Sequence, residues 1–291
     1  MSDVMISDLV PIDLYVNARE LAYWVGQDKE SKELLAPVQV IRLGKHLYVA
    51  HDHPRVLGLW KHGVQKIAVV EGAVDSDVVE CIERRQWCKD SHVNHVADLE
   101  SRVLEDPEYE ATWLSRCEGA RKRLKCEPLH GLRIVVEDER TVKSQICDEI
   151  LRALPEWFGI EESIVEYVAD VESMPFFVAE LFGMPVGFCA ITRHFGRHAD
   201  LHVLGLFGPL HGRGIGTAML DEVSRSCRDE GIRYLTVKTL DASHPDNNYA
   251  ATRKFYKGYG FEPFEVLPTL WGESNPCLVM MKDLGRTGHS D

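Results

Sequence analysis

The sequence predicts an α+β/α/β chain of two modules, and three observations carry that expectation. Apolar runs of strand length alternate with amphipathic helical text in both halves. The alternation breaks near residues 118–131, where "EGARKRLKCEPLHG" brings together a basic cluster, a proline and a glycine. The stretch "GPLHGRGIGTAML", residues 208–220, sets four glycines between a strand-like run and a helix-like one. The expected modules are residues 1–127 and 128–291.

The first module opens with helical text around "NARELAYWV". "VQVIRL" and "LYVAH" read as strands joined tightly at Gly44-Lys45, and "HPRVLGLWKHG" as a short helix stopped by Gly63. "KIAVVEG" reads as another strand, and the text to residue 118 as a helical continuation. Cys88, His92 and His95 fall at i, i+4 and i+7, so one helix would place them on a common face as three zinc-type ligands. No second Cys-x-x-Cys element accompanies them, and histidines on a helix are ordinarily solvated or hydrogen-bonded, so no metal is expected. Arg121, Lys122, Arg123 and Lys125 are open to two readings, an anion patch or a solvated helix end, of which the second is preferred.

In the second module "LRIVVED" reads as a strand, and "SQICDEILRALPEWFG" as an amphipathic helix with Ile146, Ile150, Leu151 and Leu154 on one stripe. "PFFVAELFGMPVGFCAITRH" holds two strands joined at Phe182-Gly183-Met184, a hairpin signal. A further strand, "ADLHVLGLF", runs into the glycine turn, after which Ala218, Met219, Leu220, Val223 and Cys227 recur at helical spacing. "IRYLTVKTL" follows as a strand, "YAATRKFYKGYGF" as a helix closed by Gly258–Gly260, and "CLVMMKDL" as the last strand. A strand, a glycine turn and a helix N-terminus together make an anion site, because free N–H groups and the positive end of the helix dipole converge there. Asp200 and His202 stand at alternate positions on the strand entering the turn, so both face one side of the sheet.

Composition bounds the partners. At 291 residues the chain has room for two ordinary domains, and 45% hydrophobic with 27% charged residues is the balance of a soluble globular protein. No apolar run is long enough for a transmembrane helix, and the N-terminal text lacks the pattern of a signal peptide. Eight cysteines without framework spacing point to reduced thiols and a cytoplasmic location. The net charge of −13 disfavours nonspecific nucleic-acid and membrane binding.

Residues 35–71 resemble the ParB/sulfiredoxin-like domain, whose usual text is close to D-G-H-x-R at the head of the short helix. Here His51-Asp52 replaces the Asp-Gly pair, while His53 and Arg55 keep their places. Since the missing glycine leaves a negative side chain where a phosphate would approach, the favoured reading is a degenerate domain kept for packing or substrate positioning. Phosphoryl transfer centred on His53 and Arg55 is the alternative.

Residues 131–284 resemble the GNAT superfamily of N-acetyltransferases. The acyl-CoA motif Arg/Gln-x-x-Gly-x-Gly/Ala reads His211-Gly212-Arg213-Gly214-Ile215-Gly216, and the later aromatic-Tyr and Gly-Phe pairs read Phe255-Tyr256 and Gly260-Phe261. The resemblance implies a mixed, mostly antiparallel sheet flanked by helices and splayed to admit the pantetheine arm. It also implies acetyl-CoA as cosubstrate, held by Leu206, Phe207, His211, Gly212, Arg213, Gly214, Ile215, Gly216 and Thr217. A backbone N–H near Leu206 would bind the oxyanion, and Tyr256 would protonate the departing thiolate. Asp200, then His202, are the candidate bases. The expected activity is acyl transfer to a primary amine on a small molecule, peptide or protein, with a homodimer admissible. A non-catalytic acyl-CoA or nucleotide sensor is the alternative, and such a sensor has no need of a thiolate acid at Tyr256.

Overall fold

A computed structural model describes residues 2–72 and 77–285. The chain divides into two units, the first running to Leu132 and including Leu181–Met184, the second comprising Arg133–Glu180 and the residues from Pro185 on.

In chain order the first unit contains β1 (Ser2–Met5), β2 (Leu9–Val10), β3 (Val16–Asn17), α1 (Ala18–Val25), β4 (Val38–Leu43), β5 (His46–Val49) and α2 (His53–Lys61). It continues with β6 (Lys66–Glu71), α3 (Val78–Asp90), β7 (Val103–Leu104), α4 (Asp106–Tyr109) and α5 (Ser115–Cys126). Five strands form one sheet in the order β1-β6-β4-β5-β2, with β4 parallel to β6 and antiparallel to β5. Val38, Val40, Val49, Leu57 and Leu59 are fully buried, so the apolar positions of β4, β5 and α2 enter one core. A π-helical stretch, Glu110–Leu114, joins α4 to α5.

One expectation holds here and one needs correction. The basic cluster lies at the solvated C-terminal end of α5, which runs on to Cys126. Arg121 bonds Glu80, Arg123 pairs with Glu83, and Lys122 pairs with Glu118, so acidic side chains already face these three cations. The Cys88, His92 and His95 face does not exist, because α3 stops at Asp90 and His92 takes a left-handed φ of 60°. Cys88 itself is fully buried, and burial pushes its thiol up to about 12.

The second unit carries β8 (Leu132–Val136), α6 (Arg140–Arg152), α7 (Glu161–Asp170), β9 (Phe176–Leu181), β10 (Met184–His194) and β11 (His198–Leu206). It is completed by α8 (Ile215–Asp229), β12 (Tyr234–Leu240), α9 (Asn247–Tyr259), β13 (Glu262–Leu267) and β14 (Cys277–Asp283). Its seven strands run in the order β13-β14-β12-β11-β10-β9-β8. The pairs β10–β11, β12–β14 and β13–β14 are antiparallel, and β11–β12 is parallel, which gives a mixed sheet.

The sheet core is continuous: Phe176 stacks on Phe188 with ring centroids 5.0 Å apart, and both are fully buried. Helix α8 buries Met219, Leu220, Val223 and Cys227 along the expected stripe. Helix α6 ends at Arg152, short of the expected run to Gly159, because Pro155 cannot continue the ladder. Trp157 and Phe158 therefore lie in the α6–α7 connection, where they are free to serve the site.

Candidate active site

The register of β11 builds the centre of the site. Its pairing with β12 covers His198↔Tyr234 to Leu201↔Val237, although β11 continues to Leu206 and β12 to Leu240. Beyond Leu201 the two strands part. On the other edge β11 stays bonded to β10, and the Phe207 N–H donates to the Val186 carbonyl at 3.0 Å. Bonded and non-bonded pairs alternate along an antiparallel ladder, so at Leu206↔Gly187 the Leu206 N–H and C=O face away from β10, into the opening. Sequence reasoning placed the oxyanion donor near Leu206, and the register puts that N–H on the open edge.

A β-bulge sits beside the opening. Val203 pairs with Ala190 and Leu201 with Ile191, which leaves His202 as the extra residue. Its Nε2 lies 3.1 Å from the Asp170 carboxylate at the end of α7, and its ring packs edge-on against Tyr167 at 5.4 Å. A carboxylate at a helix C-terminus opposes the dipole, so Asp170 gains from a proton-bearing partner at that position.

Asp200 is differently placed. It is buried, and it accepts hydrogen bonds from the Thr236 hydroxyl at 2.5 Å and from the Lys238 ammonium at 2.6 Å. Because the Thr236 proton is directed to Asp200, His198 Nε2, 2.8 Å from the Thr236 oxygen, carries the proton of that contact. Burial is the main influence lowering the His198 pKa. Both carboxylate oxygens of Asp200 are thus taken up by donors, Oδ1 by Thr236 and Oδ2 by Lys238. Lys238 and Thr236 escaped sequence reasoning, although their alternate positions in "LTVKTL" put them on one face of a strand.

The glycine turn follows β11. Gly212 and Gly214 take left-handed φ values of 75° and 86°, where a Cβ is strained. Gly214 caps α8 without a side-chain bond, and the first intrahelical bond runs from the Ala218 N–H to the Gly214 carbonyl. The N–H groups of Ile215, Gly216 and Thr217 therefore have no intrahelical acceptor. Gly216 has another reason to be glycine: a Cβ there would lie 3.0 Å from the Phe255 ring of α9. Arg213 is half-buried within the turn.

Two residues expected at the coenzyme bond within the protein. Phe207 is buried, and its N–H and C=O are engaged by Val186 and Leu210, so its backbone shapes the turn. The His211 ring turns back onto the strand, with Nε2 at 2.7 Å from the Leu206 carbonyl. It packs edge-on against Trp157 at 5.4 Å. Trp157 donates from Nε1 to Thr252 and accepts at its carbonyl from the Tyr249 hydroxyl, both on α9. Tyr256 is one helical turn beyond Thr252, 6% exposed, with its ring against Phe255 and Phe261. Burial first, then Cys189, Tyr249 and Asp200, raise the Tyr256 phenol above its usual range and keep it protonated. Trp157 was legible only as an apolar residue, because nothing local signals its two bonds to α9.

In the first unit His53 and Arg55 bond to neighbouring backbone and to Asp52. His53 is buried, and its Nε2 accepts from the Ile12 and Asp13 N–H groups at 3.1 and 3.2 Å. That assigns the proton to Nδ1, 3.0 Å from the Asp13 carboxylate, which Arg84 also contacts. Desolvation lowers the His53 pKa to about 3. Arg55 donates to the carbonyls of Leu34, Ala36 and Pro37 and to the Asp52 carboxylate. Asp52 occupies the missing glycine's position and keeps a left-handed φ of 66°. Among the described residues no group of three or more His, Cys, Asp or Glu side chains is arranged to hold a metal ion.

Known proteins resemble part of this chain. Residues 172–263 match the family described as "Acetyltransferase (GNAT) domain". The chain is 26% identical over 119 residues to an uncharacterized N-acetyltransferase of Chlorobaculum tepidum, a match covering 40% of this chain and 66% of that protein. An aminoglycoside 6'-N-acetyltransferase from Enterococcus faecium is similar in structure, with 21% identity, TM-score 0.44, and coverage of 54% of this chain and 99% of that one. A GNAT family acetyltransferase from Elizabethkingia anophelis with acetyl-CoA bound is similar at 13% identity and TM-score 0.42, over 53% and 99% of the two chains. Residues 172–263 are a GNAT acetyltransferase domain. That match places residues 172–263 in the acyltransferase class.

Proposed function

We propose that this chain transfers an acetyl group from acetyl-CoA to a primary amine. The observation that carries the reading is the parting of β11 from β12 beyond Leu201↔Val237, followed along the chain by the uncapped N-terminus of α8. The unpaired N–H groups of Ile215, Gly216 and Thr217, with the helix dipole, suit a pyrophosphate, and Gly212, Arg213 and Gly214 complete the turn.

Acyl transfer to an amine sets three tasks, and the residues divide them. The amine must lose a proton before it attacks. His202 takes this role, standing at the bulge beside the opening with Nε2 3.1 Å from the Asp170 carboxylate. Asp200, the first choice from sequence, instead anchors Thr236 and Lys238 at the point where the strands part. Negative charge growing on the thioester oxygen needs a fixed donor, and the Leu206 N–H supplies it. The departing thiolate needs a proton, and Tyr256 holds one throughout the neutral range.

The first unit is, in this reading, a degenerate ParB-like scaffold. Its support is that His53 Nε2 and the Arg55 terminal nitrogens are bonded to Ile12, Asp13, Leu34, Ala36, Pro37 and Asp52. The protein is proposed to act in the cytoplasm, consistent with eight free cysteines.

The test uses the full chain. Calorimetry should show acetyl-CoA binding, and thiol release should appear with a member of a panel comprising kanamycin, spermidine, a lysine peptide and a peptide with a free N-terminal alanine. Gly214→Glu should abolish binding while the circular dichroism spectrum stays the same. Wild-type protein that binds no acetyl-CoA overturns the reading.

A further inference from the structure

The GNAT motif allots position 211 a long side chain, yet here an imidazole folds back onto the strand that precedes the turn. A carbonyl oxygen only accepts, so the 2.7 Å contact to Leu206 requires His211 to carry its proton on Nε2. Leu206 is the last residue of β11, and no neighbouring strand holds its outer edge, because pairing with β12 ended at Leu201. In extended backbone a residue's N–H and C=O share one edge. Fixing the Leu206 carbonyl from that edge, while the Phe207 N–H is held from the other by Val186, locks the peptide plane after Leu206. The strand end then stays extended, and the Leu206 N–H stays aimed into the opening.

The ring is itself held. Trp157 lies edge-on to it with an interplanar angle of 72°. Trp157 is fastened to α9 through Thr252 at 3.1 Å and Tyr249 at 3.0 Å. One imidazole thus ties together the strand end, the glycine turn, the α6–α7 connection and the helix that carries Tyr256.

We propose that His211 is a positioning residue, whose bond to the Leu206 carbonyl aims the Leu206 N–H at the reacting thioester oxygen. It touches neither the acetyl group nor the amine, and the proposal rests on the acetyl-transfer reading above. A misplaced donor costs about 10²-fold in rate without weakening the ground state in proportion. The cost should therefore fall on kcat and spare KM.

Two variants of the full chain test this. His211→Phe removes the donor but keeps a ring against Trp157, and His211→Gln offers an amide N–H in its place. Acetyl-CoA affinity is read by calorimetry, and kcat and KM by thiol release with the amine found active for the wild type. His211→Phe should lower kcat by about 10²-fold with KM for acetyl-CoA within about threefold, and His211→Gln should recover most of the loss. Nitrogen-15 NMR of the imidazole should show the proton on Nε2. Wild-type kcat in His211→Phe overturns the proposal alone, as does an equal loss of coenzyme binding in both variants, which would make His211 only a part of the turn's fold. Wild-type protein that neither binds acetyl-CoA nor releases thiol overturns the acetyl-transfer reading, and this proposal with it.

Discussion

Tyr256→Phe separates chemistry from packing more cleanly than any other change at this site. Only the hydroxyl is removed. The ring is buried to 6% exposure and keeps its contacts with Phe255 and Phe261, at 5.2 and 5.5 Å between centroids. Stability should therefore change by no more than about 1 kcal/mol, the net worth of one hydrogen bond. A positioned general acid contributes about 10²–10⁴-fold, so kcat should fall on that scale with KM for acetyl-CoA little changed. The pH dependence gives an independent check with a definite sign. Burial raises the phenol pKa, so the wild-type acid stays protonated through neutral pH and past its ordinary value. Wild-type kcat should not decline through loss of this proton below about pH 10. In the variant, thiolate departure depends on water, and the rate should change more on the alkaline side than on the acidic side. The assay is thiol release across a pH series with the active amine, alongside thermal melting. Full kcat in Tyr256→Phe at every pH would refute the role and return Tyr256 to the core. An unchanged profile with a lowered rate would mean a mispositioned substrate, and the assignment as acid would be wrong.

The other predictions concern the base and the buried histidine. His202→Asn should lower kcat by about 10²–10⁴-fold, whereas Asp170→Asn should reduce kcat less and leave acetyl-CoA binding intact by calorimetry. A larger loss in Asp200→Asn, with melting temperature unchanged, would restore Asp200 as the base. His53 is neutral when folded, with a pKa of about 3 against an ordinary value of 6.5. Its depressed pKa means that its stability contribution is complete above about pH 6.5 and is lost progressively as pH falls toward about 3, at up to about 1.4 kcal/mol per pH unit. Urea titrations between pH 7 and pH 4 should show that slope flattened in His53→Asn, and parallel pH dependence in the two proteins would contradict the buried neutral histidine. Arg55→Ala should lower the melting temperature, and ATP or CTP hydrolysis by the wild type that disappears in this variant would overturn the scaffold reading.

The sequence by itself determined the features that depend on local chemistry. Left-handed backbone at Gly212 and Gly214 is a property of glycine, and a helix beginning at Ile215 follows from the apolar spacing of Met219, Leu220, Val223 and Cys227. The hairpin turn at Phe182-Gly183 was legible for the same reason, since both residues take positive φ. Asp52 shows the limit of that logic, because an aspartate takes a left-handed position, with φ of 66°. What only the tertiary structure decided are pairings between residues far apart in the chain. Lys238 and Thr236 reach Asp200 across 38 and 36 positions, and that contact bonds both of its carboxylate oxygens within the sheet. The bulge at His202 depends on the register of β10 with β11, which no periodicity in either strand reveals. Strand β13 and helix α7 also escaped sequence reasoning: every residue of "EPFEVL" but the last is exposed, so it shows no buried face, and "EESIVEYVAD" buries only Ile164. Trp157 and His211 meet across 54 residues, because Pro155 ends α6 early and the turn folds back onto Leu206. Sequence spacing fixes which side chains a helix or strand presents together, whereas hydrogen-bond donors and acceptors are matched only when separate elements pack.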